Sequence, residues 1–180
     1  MQTAQESIAN YIRAKDENRP YLMARAFAEV ATVEMVVKTD TISFPPISNG
    51  LETISDVLVR RFAQTYENVR TFCLAPPPRI DDVSFSCHWL VGMSEKEGRM
   101  VRVGCGRYDW KFRAQDPRLV ERLTITIDVM PSLAPNRLGS VMDWLSGLPY
   151  PWCSAQQALV AAPAFDELEP IRLHLAGGSA

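Results

Sequence analysis

The stretch VSFSCHWLVGMSEKEGRMVRVGCGRYDWKF, residues 83–112, has the pattern of two long β-strands joined by a short turn. Apolar and polar residues alternate on both sides of the segment SEKEGR, residues 94–99, and a period of two is typical of strands. The glycine and the charged residues of that segment favour a tight hairpin turn. The centre of the chain is therefore predicted to be a long antiparallel hairpin.

Two further strand patterns flank this hairpin. VRTFCLA, residues 69–75, precedes it, and RLVERLTITIDVM, residues 118–130, follows it. Connections rich in proline and charged residues separate the four strands, as expected of surface turns. The second half of the chain is thus predicted to fold as a meander of four antiparallel strands.

The first half of the chain is predicted to be mostly helical. Ile8, Tyr11 and Ile12 form one apolar helical stripe, and the residues from 51 to 69 repeat apolar side chains at helical spacing. A second helix is predicted to begin near Pro20, with Asn18 as its N-cap, and to lead into a strand over ATVEMVVKTD. Helices followed by strands indicate an α+β fold, with a curved antiparallel sheet wrapped around the N-terminal helices.

Composition limits the classes of function. The chain has 180 residues, is 47% hydrophobic and 22% charged, and has a formal net charge of −2, which suits a folded globular domain. The scattered arginines make no basic patch for nucleic acid, and no apolar run is long enough to span a membrane. The N-terminus lacks the pattern of a secretory signal, so a cytoplasmic location is expected. The four cysteines are Cys73, Cys87, Cys105 and Cys153; they form no CxxC pair, which predicts buried free thiols and no metal site.

The order helix, helix, strand, helix and four strands resembles the cystatin-like cone of the nuclear-transport-factor-like superfamily, and in particular its SnoaL-like branch. The likeness is carried by YIRAKDENRPYLMARAFAEVATVEM (residues 11–35), by Gly50 before the third helix, and by GCGRYDWKFRAQDPRLVERLTI (residues 104–125). The resemblance implies a cone domain over residues 1–132. Residues 133–165 would then be a C-terminal helical lid or interface extension, and residues 166–180 a partly flexible tail.

The resemblance implies two classes of function. One is a cofactor-free lyase, isomerase or cyclase that acts by acid–base catalysis on a small hydrophobic or aromatic molecule. The alternative is a non-catalytic ligand-binding module, or a structural subunit resembling the β subunits of ring-hydroxylating dioxygenases. A homodimer is expected in both cases. Because one fold carries many functions, the residues of the pocket have to decide between the classes.

Asp16 lies where dehydratase-like relatives place the acidic partner of their acid–base pair. A partly desolvated carboxylate there would act as a general base, whereas a solvated one would only belong to the polar corner formed with Lys15, Glu17 and Asn18. Those relatives carry the histidine partner near the end of the third helix. Here that stretch reads TYENV, with Glu67 and Asn68, so the pair is not intact. Tyr11 lies on the stripe of the first helix that would line the pocket. Its hydroxyl would either donate to a ligand carbonyl or lie at the rim of a packed ring, and the amphipathic stripe favours packing.

The role of His88 depends on the hairpin register, because a shift of one residue exchanges the two faces of a strand. With EKEG as the turn, Trp89 faces Gly104, Cys87 faces Gly106 and Phe85 faces Tyr108, while His88 lies on the outer face. A two-residue turn keeps the same faces. An odd number of turn residues would instead place His88 in the pocket, as an acid–base candidate.

The even register therefore predicts a set of residues on the pocket face: Phe85, Cys87, Trp89, Gly104, Gly106, Tyr108 and Trp110. Tyr108 is a further catalytic candidate beside Asp16 and His88. The last strand carries a polar stripe that includes Thr124, Thr126 and Asp128, which would either line the pocket or face outward. Trp144, Tyr150 and Trp152, near the C-terminus, are compatible with a lid, a subunit contact or a cap on an apolar edge.

Overall fold

The computed structural model describes residues 1–177. Helix α1 spans Ala4–Asp16 and begins with a capping box, in which Thr3 and Glu6 exchange side-chain and backbone hydrogen bonds. The second helix is only a short 3₁₀ segment, Pro20–Arg25, and Asn18 is a positive-φ residue before it, not its cap. Phe27, two residues after this segment, begins the first strand, where it pairs with Val120.

The third helix begins where it is predicted and ends at Thr65, because the next strand already starts at Tyr66. It consists of α2 (Leu51–Ser55), a π-helical turn (Asp56–Arg61) and α3 (Phe62–Thr65), which follow one another without a break. Its apolar residues Ile54, Leu58 and Val59 are buried. Inserted π-turns are uncommon and are often found at functional sites, so this helix draws attention to the space below it.

One curved sheet of seven strands forms the body of the fold. The strands are β1 (Phe27–Val37), β2 (Ile47–Asn49), β3 (Tyr66–Cys73), β4 (Ser84–Glu95), β5 (Val101–Phe112), β6 (Val120–Val129) and β7 (Ser132–Leu133). The spatial order is β2-β1-β6-β5-β4-β3, and β7 pairs with β5. The predicted α+β class and the four-stranded meander are confirmed, with the difference that β1 pairs parallel to β6.

The β4–β5 hairpin has the predicted parity with a register shifted by two residues. Trp89 pairs with Gly106, and Cys87 pairs with Tyr108. Only a glycine at position 106 permits this arrangement. A Cβ atom there would lie 1.8 Å from the Thr126 carbonyl oxygen and 2.7 Å from the Trp89 ring, so no larger residue fits below the indole.

The two faces of the sheet have different coverings. The inner face packs against α1 and α2, and its core includes Ile8, Ile12 and Leu123. The outer face of β4 and β5 is covered by the C-terminal extension, which consists of α4 (Leu138–Ser146), α5 (Ala155–Ala161) and α6 (Glu169–Gly177). The four cysteines are free and buried, as predicted.

The extension lies close to the sheet on its outer side. A Cβ atom at Gly92 would lie 2.2 Å from a methyl carbon of Leu145, so the glycine lets α4 approach β4. The Trp144 indole donates a hydrogen bond to the Ala158 carbonyl, which ties α4 to α5. Ile171 and Leu175 of α6 are buried, so the region expected as a tail is a packed helix up to Gly177; residues 178–180 lie outside the described residues. None of the helices described is long and apolar enough to span a bilayer.

Candidate functional site

A small cavity lies inside the cone, between α1, the third helix and the inner face of the sheet. Its volume is about 50 Å³. The walls are mostly apolar and are made by Tyr11, Lys15, Met35, Ile42, Phe44, Leu58, Phe62, Trp89, Val91, Met93, Tyr108, Ile125, Ile127 and Met130. A few polar groups in an otherwise apolar cavity are the usual composition of a small-molecule site.

Three residues that carry hydrogen-bond donors line this cavity: Lys15, Tyr11 and Tyr108. The two tyrosine rings are edge to face with centroids 6.2 Å apart. Each tyrosine hydroxyl can donate one hydrogen bond. The tyrosine pair can therefore donate to an acceptor atom in the cavity.

Burial raises the pKa of both Tyr11 and Tyr108 far above the ordinary value for tyrosine. The cause is desolvation, which disfavours the charged phenolate. Both side chains therefore stay protonated over the whole physiological range. They are suited to donate hydrogen bonds and not to act as bases.

Asp16 lies beside the cavity, with its carboxylate fully engaged. One oxygen accepts from the Thr71 backbone N–H at 2.7 Å and from the Tyr150 hydroxyl at 2.9 Å. The other accepts from the Thr71 hydroxyl at 2.7 Å and from the Lys15 ammonium at 3.3 Å. The side chain is 4% exposed, and Asp16 is not among the residues that line the cavity.

Lys15 connects the two groups. Its ammonium donates to the Thr71 hydroxyl at 2.6 Å, lies 3.3 Å from the Asp16 carboxylate and 5.1 Å from the centroid of the Phe62 ring. A buried charge needs such partners to remain ionised. The residue of β3 that contacts the Asp16 side chain is Thr71. Its hydroxyl cannot take up a proton as a histidine ring would, so it does not complete an acid–base pair.

Five more predicted pocket residues lie on the inner face but outside the cavity lining: Phe85, Cys87, Gly104, Gly106 and Trp110. The Trp110 ring packs against Tyr11 with centroids 5.5 Å apart, and Phe85 packs against Trp152 of the C-terminal segment. Gly106 makes room for the Trp89 ring, and Gly104 makes room for the end of the Met130 side chain. These aromatic contacts fill the narrow end of the cone, so the cavity occupies only its wider part.

Comparison with solved structures identifies the fold of this chain. No protein-family model matches the chain, and no curated protein matches it in sequence. A nuclear transport factor 2-like superfamily protein of Salmonella enterica serovar Typhimurium superposes with a TM-score of 0.55 at 13% identity, over 69% of this chain and 88% of its own. The chain has the nuclear-transport-factor-2-like fold.

Two other solved structures with this fold are named for a chemistry or a ligand. A hexachlorocyclohexane dehydrochlorinase of Novosphingobium barchaimii has a TM-score of 0.54 at 15% identity, over 72% of this chain and 87% of its own. A protein of Catenulispora acidiphila with a ketosteroid isomerase-like fold, in complex with trimethylamine, has a TM-score of 0.51 at 16% identity, over 67% of this chain and 83% of its own. At such identities the likeness concerns the fold alone.

In this nuclear-transport-factor-2-like cone, four predicted site residues lie on the outer face. His88 pairs with Arg107, and Thr126 pairs with Arg107 from the other side, so all three point away from the cavity. Thr124 shares that face, and Asp128 forms an ion pair with Lys38 at 2.9 Å. The pocket position considered for these residues is not the one they take. For His88 the reason is the even parity of the hairpin turn, and for the two threonines of β6 it is their pairing opposite Arg107 and Asp109.

His88 lies below the C-terminal extension, against the only other histidine of the chain. Its ring centroid is 5.3 Å from that of His174 on α6. Within residues 1–177, His88 Nδ1 and His174 Nε2 are buried with no protein hydrogen-bond partner. Burial lowers the pKa of His174; the nearby Asp128 carboxylate opposes this shift, while His88 and Lys38 add to it. Over the same residues, no three histidine, cysteine or acidic side chains are grouped to hold a metal ion.

Sequence reasoning missed three groups at the cavity. Lys15 reads in the sequence only as a polar neighbour of Asp16, although its position four residues after Tyr11 places both on one helix face. Ile42 and Phe44 come from the loop of residues 38–46, between β1 and β2. The apolar residues within that loop were a signal, because exposed turns seldom carry them.

Proposed function

We propose that this chain binds a small, neutral, mainly hydrophobic molecule in the cone and holds one hydrogen-bond acceptor of that molecule at the Tyr11–Tyr108 pair. The observation that carries this proposal is that Tyr11, Tyr108 and Lys15, three residues with hydrogen-bond donors, line an otherwise apolar cavity. Such a site favours a carbonyl oxygen, which accepts hydrogen bonds and brings no charge.

The charge balance of the site supports a neutral ligand. The Lys15 ammonium is accompanied by the Asp16 carboxylate at 3.3 Å, so the pair has no net charge. A ligand carboxylate would lose its hydration in the apolar cavity without an unpaired cation to compensate it. A ketone, ester or amide avoids that cost.

The test compares the affinity of butanone for the wild-type protein and for Tyr108→Phe, by ligand-observed NMR titration. Loss of one donor to the carbonyl should weaken binding by about fivefold to tenfold, the effect of one neutral hydrogen bond. Tyr21→Phe, at an exposed tyrosine, is the matched control and should bind as the wild type does. Equal affinity in Tyr108→Phe and wild type would refute the role of the pair.

A second candidate function is cofactor-free isomerisation or elimination on the same bound molecule. The observation in its favour is the same set of donors, because hydrogen-bond donors aimed at a carbonyl oxygen also stabilise an enolate. Against it, the described residues that line the cavity include no carboxylate and no imidazole to serve as a base. Binding without proton transfer is therefore the function we favour.

Exchange of the α-protons of butanone in heavy water separates the two candidates. A binding protein leaves the exchange rate at that of buffer, even when the ketone is saturating. An isomerase-type site accelerates the exchange, and Tyr108→Phe then reduces the acceleration. Exchange above the buffer rate that is lost in Tyr108→Phe would favour the enzyme.

A further inference from the structure

A second chamber adjoins the cavity at the mouth of the cone. Its volume is about 310 Å³, and its own wall residues are Ser43, Pro45, Val57, Arg61, Thr65 and Tyr66. The two spaces share three wall residues, Ile42, Phe44 and Phe62. Those three side chains therefore stand between an inner cavity and an outer chamber.

The size of each space matters for the ligand. Small-molecule sites usually measure about 300–1,000 Å³. The inner cavity, at about 50 Å³, is far below that range, whereas the outer chamber, at about 310 Å³, lies within it. A ligand whose acceptor reaches Tyr108 therefore has to extend past Phe44 into the outer chamber, unless it has only a few heavy atoms.

The loop of residues 38–46, which supplies Ile42 and Phe44, is anchored on both sides of these residues. The Met35 N–H donates to the Pro46 carbonyl at 2.8 Å, and the Thr41 hydroxyl donates to the Met130 carbonyl at 2.8 Å. The Arg102 guanidinium donates to the Thr41 carbonyl at 2.7 Å while it is paired with Glu95. The prolines at 45 and 46 further restrict the backbone, so passage depends on rotation of the Phe44 and Ile42 side chains.

The two spaces also differ in chemistry. The wall residues of the outer chamber include Ser43, Thr65 and Tyr66, which carry hydroxyls, and Arg61, which carries a guanidinium. Arg61 is exposed and uses its Nε for Asp56, so its remaining N–H groups are available to a ligand. Apolar walls inside and hydrogen-bonding groups outside suit a molecule with two unlike halves.

We infer that the ligand is an elongated molecule whose carbonyl end occupies the inner cavity and whose second half, an aromatic ring bearing a hydrogen-bonding group, occupies the outer chamber. Phe44 is then the residue that sets the permitted shape at the junction. This inference rests on the proposed function, since it concerns the same site.

The test uses two ketones that share one end, butanone and para-hydroxybenzylacetone, titrated into the same preparations of the full chain. In the wild type the longer ketone should bind at least tenfold more tightly. Phe44→Trp should enlarge the obstruction at the junction and weaken the longer ketone at least tenfold, with butanone changed less than twofold. Thr65→Trp, which fills the outer chamber from the helix, should give the same selective loss.

Ile47→Trp is the matched control, because Ile47 is exposed and directly follows the loop. It should leave both affinities unchanged. Equal affinity of the two ketones in the wild type would overturn the inference, and so would equal losses for both ketones in Phe44→Trp and Thr65→Trp. Failure of butanone to bind the wild type, or binding unaffected by Tyr108→Phe, would instead refute the proposed function.

Discussion

The two faces of the central sheet hold their buried polar groups in different ways. On the inner face, Lys15, Asp16 and Thr71 satisfy one another through short hydrogen bonds, and Lys15 reaches an apolar cavity. On the outer face, His88 and His174 meet below α6 with one ring nitrogen each lacking a protein partner among the described residues. The inner group adjoins open space, and the outer group is covered by a helix.

This difference shows that residue type alone does not identify which side chains serve the cavity. Histidine is the side chain most suited to proton transfer near neutral pH, and Asp16 is the carboxylate nearest the cone. Yet His88 faces the packed helices, and the oxygens of Asp16 already accept four hydrogen bonds. The polar residues that line the cavity are Lys15, Tyr11 and Tyr108, whose side chains donate hydrogen bonds.

The largest effect is expected from Asp16→Ala. Removing one partner of a buried ion pair leaves the other charge uncompensated and typically costs about 3–5 kcal/mol. The Lys15 and Asp16 side chains are 8% and 4% exposed, so that range applies here. Urea unfolding measures the change in free energy of unfolding.

Asp109→Ala is the matched control for this comparison. Asp109 also forms an ion pair, with Arg107 at 2.9 Å, but on the exposed outer surface. Exposed pairs contribute roughly 0–1 kcal/mol, so its loss should be small. If both variants lost similar amounts of free energy of unfolding, the buried Lys15–Asp16 pair would contribute no more to stability than the exposed Arg107–Asp109 pair does.

A smaller effect is expected from alanine substitutions at two glycines, one on each face. At Gly106 the new Cβ atom would meet the Thr126 carbonyl oxygen, a backbone atom that cannot rotate away. At Gly92 it would meet the end of the Leu145 side chain, which can change rotamer. Overpacking costs about 1–3 kcal/mol, and Gly106→Ala should lie at or above the top of that range and Gly92→Ala near the bottom.

Thermal unfolding of both variants, with Gly139→Ala as control, measures this ordering. A Cβ atom at Gly139 meets nothing within 4 Å, and the residue lies in α4. Alanine there should raise stability by up to about 1 kcal/mol through helix propensity. If Gly92→Ala lost more thermal stability than Gly106→Ala, the packing on the outer face would be the less able to accommodate an added methyl group.

The smallest effect is a pH dependence of the outer face. The pKa of His174 is lowered in the folded state, so the folded protein binds fewer protons than the unfolded chain around pH 6. The stabilisation is fully present above the unfolded pKa of about 6.5 and is lost as the pH falls below it. A positive charge on His174 is disfavoured by His88 and Lys38 nearby, and the Asp128 carboxylate compensates part of that effect.

Urea midpoints at pH 8 and pH 5.5 for the wild type and His174→Gln isolate this contribution. Titrating carboxylates affect both proteins alike, so the wild type should lose more stability on acidification than the variant does. The same loss in both proteins would remove His174 from the pH dependence.

The sequence was informative where a local pattern determines a long-range position. The parity of the β4–β5 hairpin was predictable because the two-residue period of strands and an even turn together fix the faces. That parity puts Trp89 on the inner face, over glycines of β5, and His88 on the outer one. The exact register was two residues away from the prediction, because the charged turn segment allows either loop length.

The site was less predictable because its parts come from distant segments. Lys15, Thr71 and Tyr150 meet at Asp16 from α1, β3 and the segment after α4, and no local pattern links them. Nor does the sequence reveal that Ile42 and Phe44 turn inward from their loop. Such contacts are decided by tertiary packing, which periodicity does not report.

A crystal structure of the protein with para-hydroxybenzylacetone would show directly whether the ligand spans both spaces. The carbonyl oxygen should lie within hydrogen-bond distance of the Tyr11 or Tyr108 hydroxyl, with the ring of the ligand beyond Phe44 in the outer chamber. A ketone found elsewhere, with the cone cavity unchanged and Tyr108 untouched, would contradict it.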